Sequence, residues 1–329
     1  MEVVLTGNTG KMVMGRKVAL VTGATGFIGR HLVDRLRQGG GVARVYTRRL
    51  VGHAQSLFPD CECFSGELND SSSLDTACEG ADVVFHLAGL AHSISRSEEE
   101  VRRANVDGTR SVLESALRNG VRRFVYISST HAGNPTVSLY ARSKLEAEEE
   151  IRAVLELDPG IEVVILRPAN VYGVGMRGGL RKFLELSSRG WLPSLPELQS
   201  QFSLVSVTDL CEVAIHASES VFKRHEKIIL NTVTDGELYT VSRIEDAVYQ
   251  SLGRRPPRMR APRWALLAGA AVAQFLNKFR DSPNTLGMGL YKNLVRHQGQ
   301  RRVDTPANYP FTPTTTLESE LPSILESLR

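Results

Sequence analysis

The chain has 329 residues, enough for one large domain or a main domain with a smaller lobe, and its 42% hydrophobic content is ordinary for a globular protein with a substantial core. Its 40 Lys and Arg against 36 Asp and Glu give a formal charge of +4, and the cations are scattered among acids, which argues against a nucleic-acid partner. Cys61, Cys63, Cys78 and Cys211 include no CxxC and match no tight zinc spacing, so they read as inert thiols of a reduced, cytoplasmic compartment and not as a disulfide framework or metal site.

Residues 1–16 read as an N-terminal extension: Lys11 and Arg16 are present, and no apolar core suits a signal peptide. TGNTG at Thr6–Gly10 echoes a later motif without its helix, and Met12 and Met14 are alternative starts. A first strand is predicted over Lys17–Thr22 and runs into TGATGFIG at Thr22–Gly29, which opens a helix over Gly26–Gln38. Gly23, Gly26 and Gly29 let the backbone turn and present N–H groups to a pyrophosphate, with Thr22 and Thr25 as added hydroxyls. Alone, that spacing also suits an ordinary strand-to-helix turn.

The second strand, Ala43–Thr47, ends in Arg48-Arg49 with no acid to hold a ribose hydroxyl, which favours NADP over NAD. The alternative is that both arginines are plain surface charges and the cofactor is NAD. A shorter polar strand lies near Cys61–Ser65, another strand over Asp82–Leu87, and a helix over Glu98–Arg118, with Glu98/Arg102 and Glu99/Arg103 as helix pairs and Asn119-Gly120 as its stop. The strand Arg123–Ser128 is followed by hydroxyls at the edge where α/β sheets place ligands. Ser129 is the choice for polarising a substrate oxygen, Ser128 and Thr130 are its substitutes, and His131 reads as a solvated loop residue.

In the helix predicted over Ser138–Leu155, Tyr140 and Lys144 share one face. A lone Tyr has a pKa of roughly 10, and a nearby ammonium is expected to lower it toward working pH, so that the phenol trades a proton with a carbonyl or alcohol. A strand over Glu162–Leu166 follows. Beyond Gly173 the pattern fades except for a strand, Lys227–Val233, and a helix, Val241–Leu252. The expected architecture is α/β: a Rossmann-type doubly wound parallel sheet over 17–173, and a smaller C-terminal substrate lobe over 174–329 from which strand 227–233 returns to the main sheet. The apolar run Trp264–Leu276 is too short for an integral membrane span, which needs ~18 residues, and reads as a packing helix.

The set TGATGFIG, HLAG at His86–Gly89, NVDGT at Asn105–Thr109, ISST at Ile127–Thr130, YARSK at Tyr140–Lys144 and LRPANVYG at Leu166–Gly173, in that order, resembles the extended short-chain dehydrogenase/reductase family, the NAD-dependent epimerase/dehydratase group, over about residues 17–255. The resemblance implies that Gly23, Thr25, Gly26, Phe27, Ile28 and Gly29 cradle the cofactor and that Glu67 and Leu68 lie near its adenine. It implies that Leu87, Ala88 and Gly89 line it, that Asn105 supports the active-site network, and that Pro168 and Val171 sit by the nicotinamide. Ser129, Tyr140 and Lys144 become the catalytic set, with Lys144 also on the nicotinamide ribose, and Thr130 and Asn170 lie near the substrate. A homodimer through Glu98–Arg118 and Ser138–Leu155 is implied as well.

Within the family, YARSKLEAEEE looks most like bacterial nucleotide-sugar 4-epimerases and 4-ketoreductases, which makes a nucleotide sugar the first substrate expectation. Those enzymes carry an Arg where this chain has Phe202, and Arg177, Arg181 and Lys182 are its stand-ins for gripping a diphosphate. The missing Arg opens the alternative of a sterol-like or other apolar ketone or alcohol. A dehydratase needs an acid/base pair that Thr130-His131 does not supply, and a non-catalytic dinucleotide sensor has no use for the Tyr and Lys.

Overall fold

The computed structural model describes residues 17–49, 51–91, 96–190, 200–219, 221–223, 225–256, 260, 262 and 313–328. The extension 1–16 and the run Trp264–Leu276 lie outside the described residues. The chain divides into two units, one made of 1–169, 207–233 and 305–312, the other of 170–206, 234–304 and 313–329.

The first unit is a seven-stranded parallel sheet. Its elements in chain order are β1 (Val18–Thr22), α1 (Phe27–Gln38), β2 (Val42–Thr47), α2 (Val51–Leu57), β3 (Glu62–Ser65), α3 (Ser71–Cys78), β4 (Val83–His86), α4 (Glu98–Arg102), α5 (Gly108–Arg118), β5 (Arg123–Ile127), α6 (Leu139–Leu157) and β6 (Glu162–Pro168). Because every connection is a crossover, strands run one way and fill the spatial order β3-β2-β1-β4-β5-β6, with the later strand Ile228–Val233 beside β6. Register is set by near-continuous apolar strands: Ala19, Leu20 and Val21 of β1 pair Val83, Val84 and Phe85 of β4, and all are buried. One face packs Leu20, Tyr46, Val84, Phe124 and Ile165 against Val112, Leu113, Ala147 and Ile151 of α5 and α6.

The helix expected over Glu98–Arg118 is broken. A capping box of Ser97 and Glu100 starts α4, and Arg103–Asp107 then winds as a π-helical turn before α5. The expected Glu98/Arg102 pairing does not form: Glu98, at the start of α4, pairs with Arg142 of α6, and the wider turn brings Asp107, five residues on, to Arg102 at 3.1 Å. The same turn carries Asn105 inward.

The second unit continues the numbering with β7 (Asn170–Tyr172), α7 (Gly179–Ser188), β8 (Gln201–Phe202) and β9 (Leu204–Ser206). Helix α8 (Val207–Ser218) and strand β10 (Ile228–Val233) belong to the first unit, after which β11 (Tyr239–Thr240), α9 (Val241–Ser251) and the C-terminal helix Leu317–Ser327 are the further elements of the second among the described residues. There β7 pairs with β9, β8 with β11, and Arg243 of α9 ties to Glu318 at 2.8 Å. Among the described residues no helix is long and apolar enough to cross a membrane, and no cluster of three His, Cys, Asp or Glu side chains could hold a metal.

Candidate active site

Parallel strands put all their carboxyl ends on one edge, and that edge collects the chemistry in the first unit: Thr22 ends β1, His86 ends β4, Ser128 and Ser129 follow β5, and Pro168 ends β6. The turn after β1 is shaped for a close visitor. Gly26 N donates to Gly23 O at 2.9 Å, Gly23 has φ +73°, and a Cβ on Gly23 would stand 2.6 Å from Ala88 N. A Cβ on Gly29 would stand 2.3 Å from Gly23 O. Helix α1 begins on Gly26, which has no side chain to cap it, and carries no acid in its first turn. Its first N–H groups and dipole therefore suit an anion, and the glycine cradle fits a dinucleotide pyrophosphate.

Thr25, Phe27 and Ile28 are half-buried on this turn, and Leu87 N closes the β1–β4 edge on Thr22 O at 3.2 Å. At the end of β2, Arg48 and Arg49 are exposed, with Arg49 beside His53. Glu67 is exposed and gives its carbonyl to the Tyr46 hydroxyl at 2.9 Å, while Leu68 packs over Gly108. A Cβ on Gly89 would press on Asn105 Oδ1, so the glycine leaves room for the amide. Asn105 spends that amide fully: Oδ1 accepts from Leu90 N at 2.6 Å, and Nδ2 donates to Leu90 O at 3.2 Å and to Ser143 Oγ at 2.9 Å.

Tyr140 and Lys144 stand in the first two turns of α6, and Ser129 follows β5. Ser138 caps the helix by accepting from Ala141 N at 3.0 Å, which sets the first turn where Tyr140 stands. The Tyr140 phenol hydrogen-bonds the Ser129 side chain, and Ser129 Oγ also accepts from His131 N at 3.2 Å. Lys144, 5% exposed, donates to Ile127 O at 2.8 Å and to the Tyr126 hydroxyl at 3.2 Å. Burial pushes its amine down to about 8, against the Glu148 carboxylate, which raises it. Burial also pushes the Tyr140 phenol up, with the Ser129 hydrogen bond working the other way. The expected lowering of Tyr140 is thus reversed, because loss of water from the phenolate outweighs the Ser129 hydrogen bond.

His131, read from the sequence as solvated, is half-buried, with Nδ1 3.4 Å from Ser129 Oγ, and burial lowers its pKa. Thr130 opens the 3-10 turn that carries it. Asn170, Val171 and Arg177 lie in the second unit: Asn170 and Arg177 are exposed, and Val171 pairs Val205. Phe202, at the position of the absent arginine, pairs Tyr239 across β8 and β11. Burial raises the thiols of Cys61, Cys63, Cys78 and Cys211, Cys78 to about 12, as inert side chains require.

A buried network behind the site was not read from the sequence. Thr109 Oγ1 donates its one hydrogen to Asn105 O at 2.6 Å, so it must accept from His86 Nε2 at 3.0 Å. Proton counting then assigns His86 Nδ1 as an acceptor from Thr22 Oγ1 at 2.7 Å, and Thr22 Oγ1 as the acceptor for Ala88 N at 3.3 Å. Tyr126, which stacks on His86 and hydrogen-bonds the Thr109 side chain, joins this network to Lys144. His86 is fully enclosed, and burial holds it down at about 3 against an ordinary 6.5. The unfolded imidazole takes a proton that the folded one refuses, so stability is whole above about 6.5 and drains as pH falls toward about 3. Thermal melts from neutral pH to about pH 5 are expected to fall more steeply for the wild type than for His86→Asn, and parallel curves refute the assignment.

Residues 19–231 match the family described as "NAD dependent epimerase/dehydratase family". The chain belongs to that family. It is an NAD-dependent enzyme of the extended short-chain dehydrogenase/reductase type. It is 34% identical over 282 residues to "Ceramide reductase" of Caulobacter vibrioides, covering 85% of this chain and 84% of that protein. It is 30% identical over 220 residues to "UDP-glucose 4-epimerase" of Vibrio cholerae, covering 60% of this chain and 66% of that protein. Among solved structures, MoeE5 in complex with UDP-glucose and NAD superposes with a TM-score of 0.67 at 21% identity, over 94% of this chain and 97% of that one, a likeness of fold.

Proposed function

We propose that the protein reduces a ketone on a long-chain lipid of the ceramide kind, using NADPH in preference to NADH. The observation that carries this reading is the 34% identity to a ceramide reductase across 85% of the chain, which includes residues of both units. Phe202 supports it, since an aromatic ring suits an alkyl chain where a diphosphate would need a guanidinium. The order of the two substrate expectations from the sequence is therefore reversed.

The nicotinamide, when bound, supplies the hydride for the carbonyl carbon. Ser129 Oγ orients the carbonyl oxygen, and the Tyr140 phenol, neutral because burial raises it, delivers the proton that turns the alkoxide into an alcohol. Lys144 offsets the charge left on the phenolate and, held from behind by Ile127 O and the Tyr126 hydroxyl, has its ammonium kept at one place. Ketone, reduced nicotinamide and one proton thus become alcohol and oxidised nicotinamide.

Nucleotide-sugar 4-epimerisation is the second reading, favoured by the exposed Arg177 and Arg181 before and within α7. Absorbance of the reduced nicotinamide separates the two. Net oxidation of NADPH with an N-acylated long-chain amino ketone and none with UDP-sugars supports the lipid reading; conversion of a UDP-hexose to its C4 epimer without net oxidation overturns it. Arg48→Ala with Arg49→Ala is expected to lower kcat/KM for NADPH about tenfold or more and leave NADH nearly unchanged, by loss of charged hydrogen bonds to the 2′-phosphate. Equal losses with both cofactors would exclude this assignment.

A further inference from the structure

We propose that Glu148 is a positioning residue for hydride transfer: clamped by Arg167 and Ser128, its carboxylate locks the end of β5 to the catalytic helix and places a negative charge one helical turn from Lys144. Glu148 is 2% exposed and stands one helical turn beyond Lys144, on the face of α6 that also bears Tyr140. Arg167 of β6 grips it through Nε to Oε1 at 2.9 Å and Nη2 to Oε2 at 2.5 Å, and Ser128 Oγ donates to Oε1 at 2.5 Å. A carboxylate removed from water this completely is costly unless its oxygens are all engaged, and this one is held on both.

What the clamp holds is the reason for the assignment. Ser128 lies between Ile127, whose carbonyl accepts from Lys144, and Ser129, which hydrogen-bonds Tyr140. Its own N–H donates to Leu166 O at 2.7 Å, beside Arg167. One carboxylate thus ties α6 to the end of β5, which its catalytic side chains address, and to Arg167 on β6, while its charge favours the ammonium of Lys144.

The other charged and titratable groups around the pair do not supply that charge. His86 on β4 and His131 on the turn after β5 have imidazoles driven toward the neutral form, and burial raises the phenols of Tyr126 on β5 and Tyr140 on α6. Arg167 on β6 is cationic and bound to Glu148 itself. From α4 and α5, Glu98 pairs with Arg142, and Arg110 pairs with Glu114 and Glu150, all outside the buried core.

The test is Glu148→Gln, which keeps the shape and an acceptor for Ser128 but removes the charge. In protein labelled with 13C at lysine Cε, without cofactor or substrate, the Lys144 signal is assigned by its loss in Lys144→Met and followed against pH. Its midpoint is expected to fall by about one unit or more in Glu148→Gln, the usual size for loss of one close opposite charge. Reductive kcat is expected to lose its alkaline limb at correspondingly lower pH, with KM little changed. Glu148→Gln/Arg167→Met, which leaves no unpaired guanidinium, is expected to show a smaller fall of the same sign, since a more distant cation leaves with the carboxylate, and decides the matter if the single variant folds poorly. An unmoved Lys144 midpoint in the folded variant, or a loss of kcat that is uniform with pH, overturns the proposal. The role rests on the hydride-transfer reading of the site, but the lysine titration needs no substrate, so a wrong lipid assignment leaves its outcome readable.

Discussion

Tyr140→Phe is expected to lower kcat for carbonyl reduction by about a hundred- to ten-thousandfold, the range contributed by one well-placed general acid. Phe keeps the ring that packs at the start of α6 and removes only the oxygen that meets Ser129, so folding and the glycine turn are left alone. Affinity for reduced dinucleotide, read from its fluorescence, is expected to stay within about threefold of wild type, since the change amounts to less than about 1 kcal/mol. The wild-type pH profile carries the same logic. Burial raises the phenol, so it remains an acid through neutral pH, whereas Lys144 at about 8 loses its charge first. Reduction is therefore expected to decline above about pH 8 as the ammonium that balances the phenolate disappears. A fully active Tyr140→Phe would remove the phenol from the reaction.

The sheet was legible because parallel strands buried on both faces read as apolar runs, and each predicted strand of the first unit lies within one or two residues of the observed one, Val18–Thr22 for Lys17–Thr22 and Arg123–Ile127 for Arg123–Ser128. The π-helical turn at Arg103–Asp107 was hidden, since RANVD fits a regular helix and what widens the turn is the inward Asn105 amide bonded to Leu90 and Ser143, residues far off in sequence. Glu148 had a signal, four residues beyond Lys144 as Lys144 is beyond Tyr140, but it was masked by a run of four glutamates within five residues. Its partners Ser128 and Arg167 come from other strands, so no local pattern could name it. The direction of the Tyr140 shift was missed for a related reason: spacing on a helix reports proximity, while burial depends on the whole fold.

Gly29→Ala is expected to weaken dinucleotide binding about ten- to a hundredfold while leaving the chain folded. The new methyl would lie 2.3 Å from Gly23 O and 2.7 Å from Ala24 Cα, backbone atoms that cannot rotate aside. Relieving such overpacking costs about 1–3 kcal/mol, and the cheapest relief is to open the turn whose carbonyl, Gly23 O, receives Gly26 N. Gly26→Ala meets only that oxygen at 3.1 Å and is expected to be milder, and Gly52→Ala on α2, with nothing within 4 Å, is expected to bind as wild type. Circular dichroism and melting temperature separate a displaced turn from an unfolded chain, because the strands β1, β2 and β4 that carry the core do not pass through Gly29. The ranking, with Gly29 most damaging and Gly52 silent, follows from where a single carbon would sit. Were Gly29→Ala to bind the dinucleotide with wild-type affinity, the turn after β1 would lose its place as the pyrophosphate cradle, and Tyr140 would be left with no hydride donor anchored beside it.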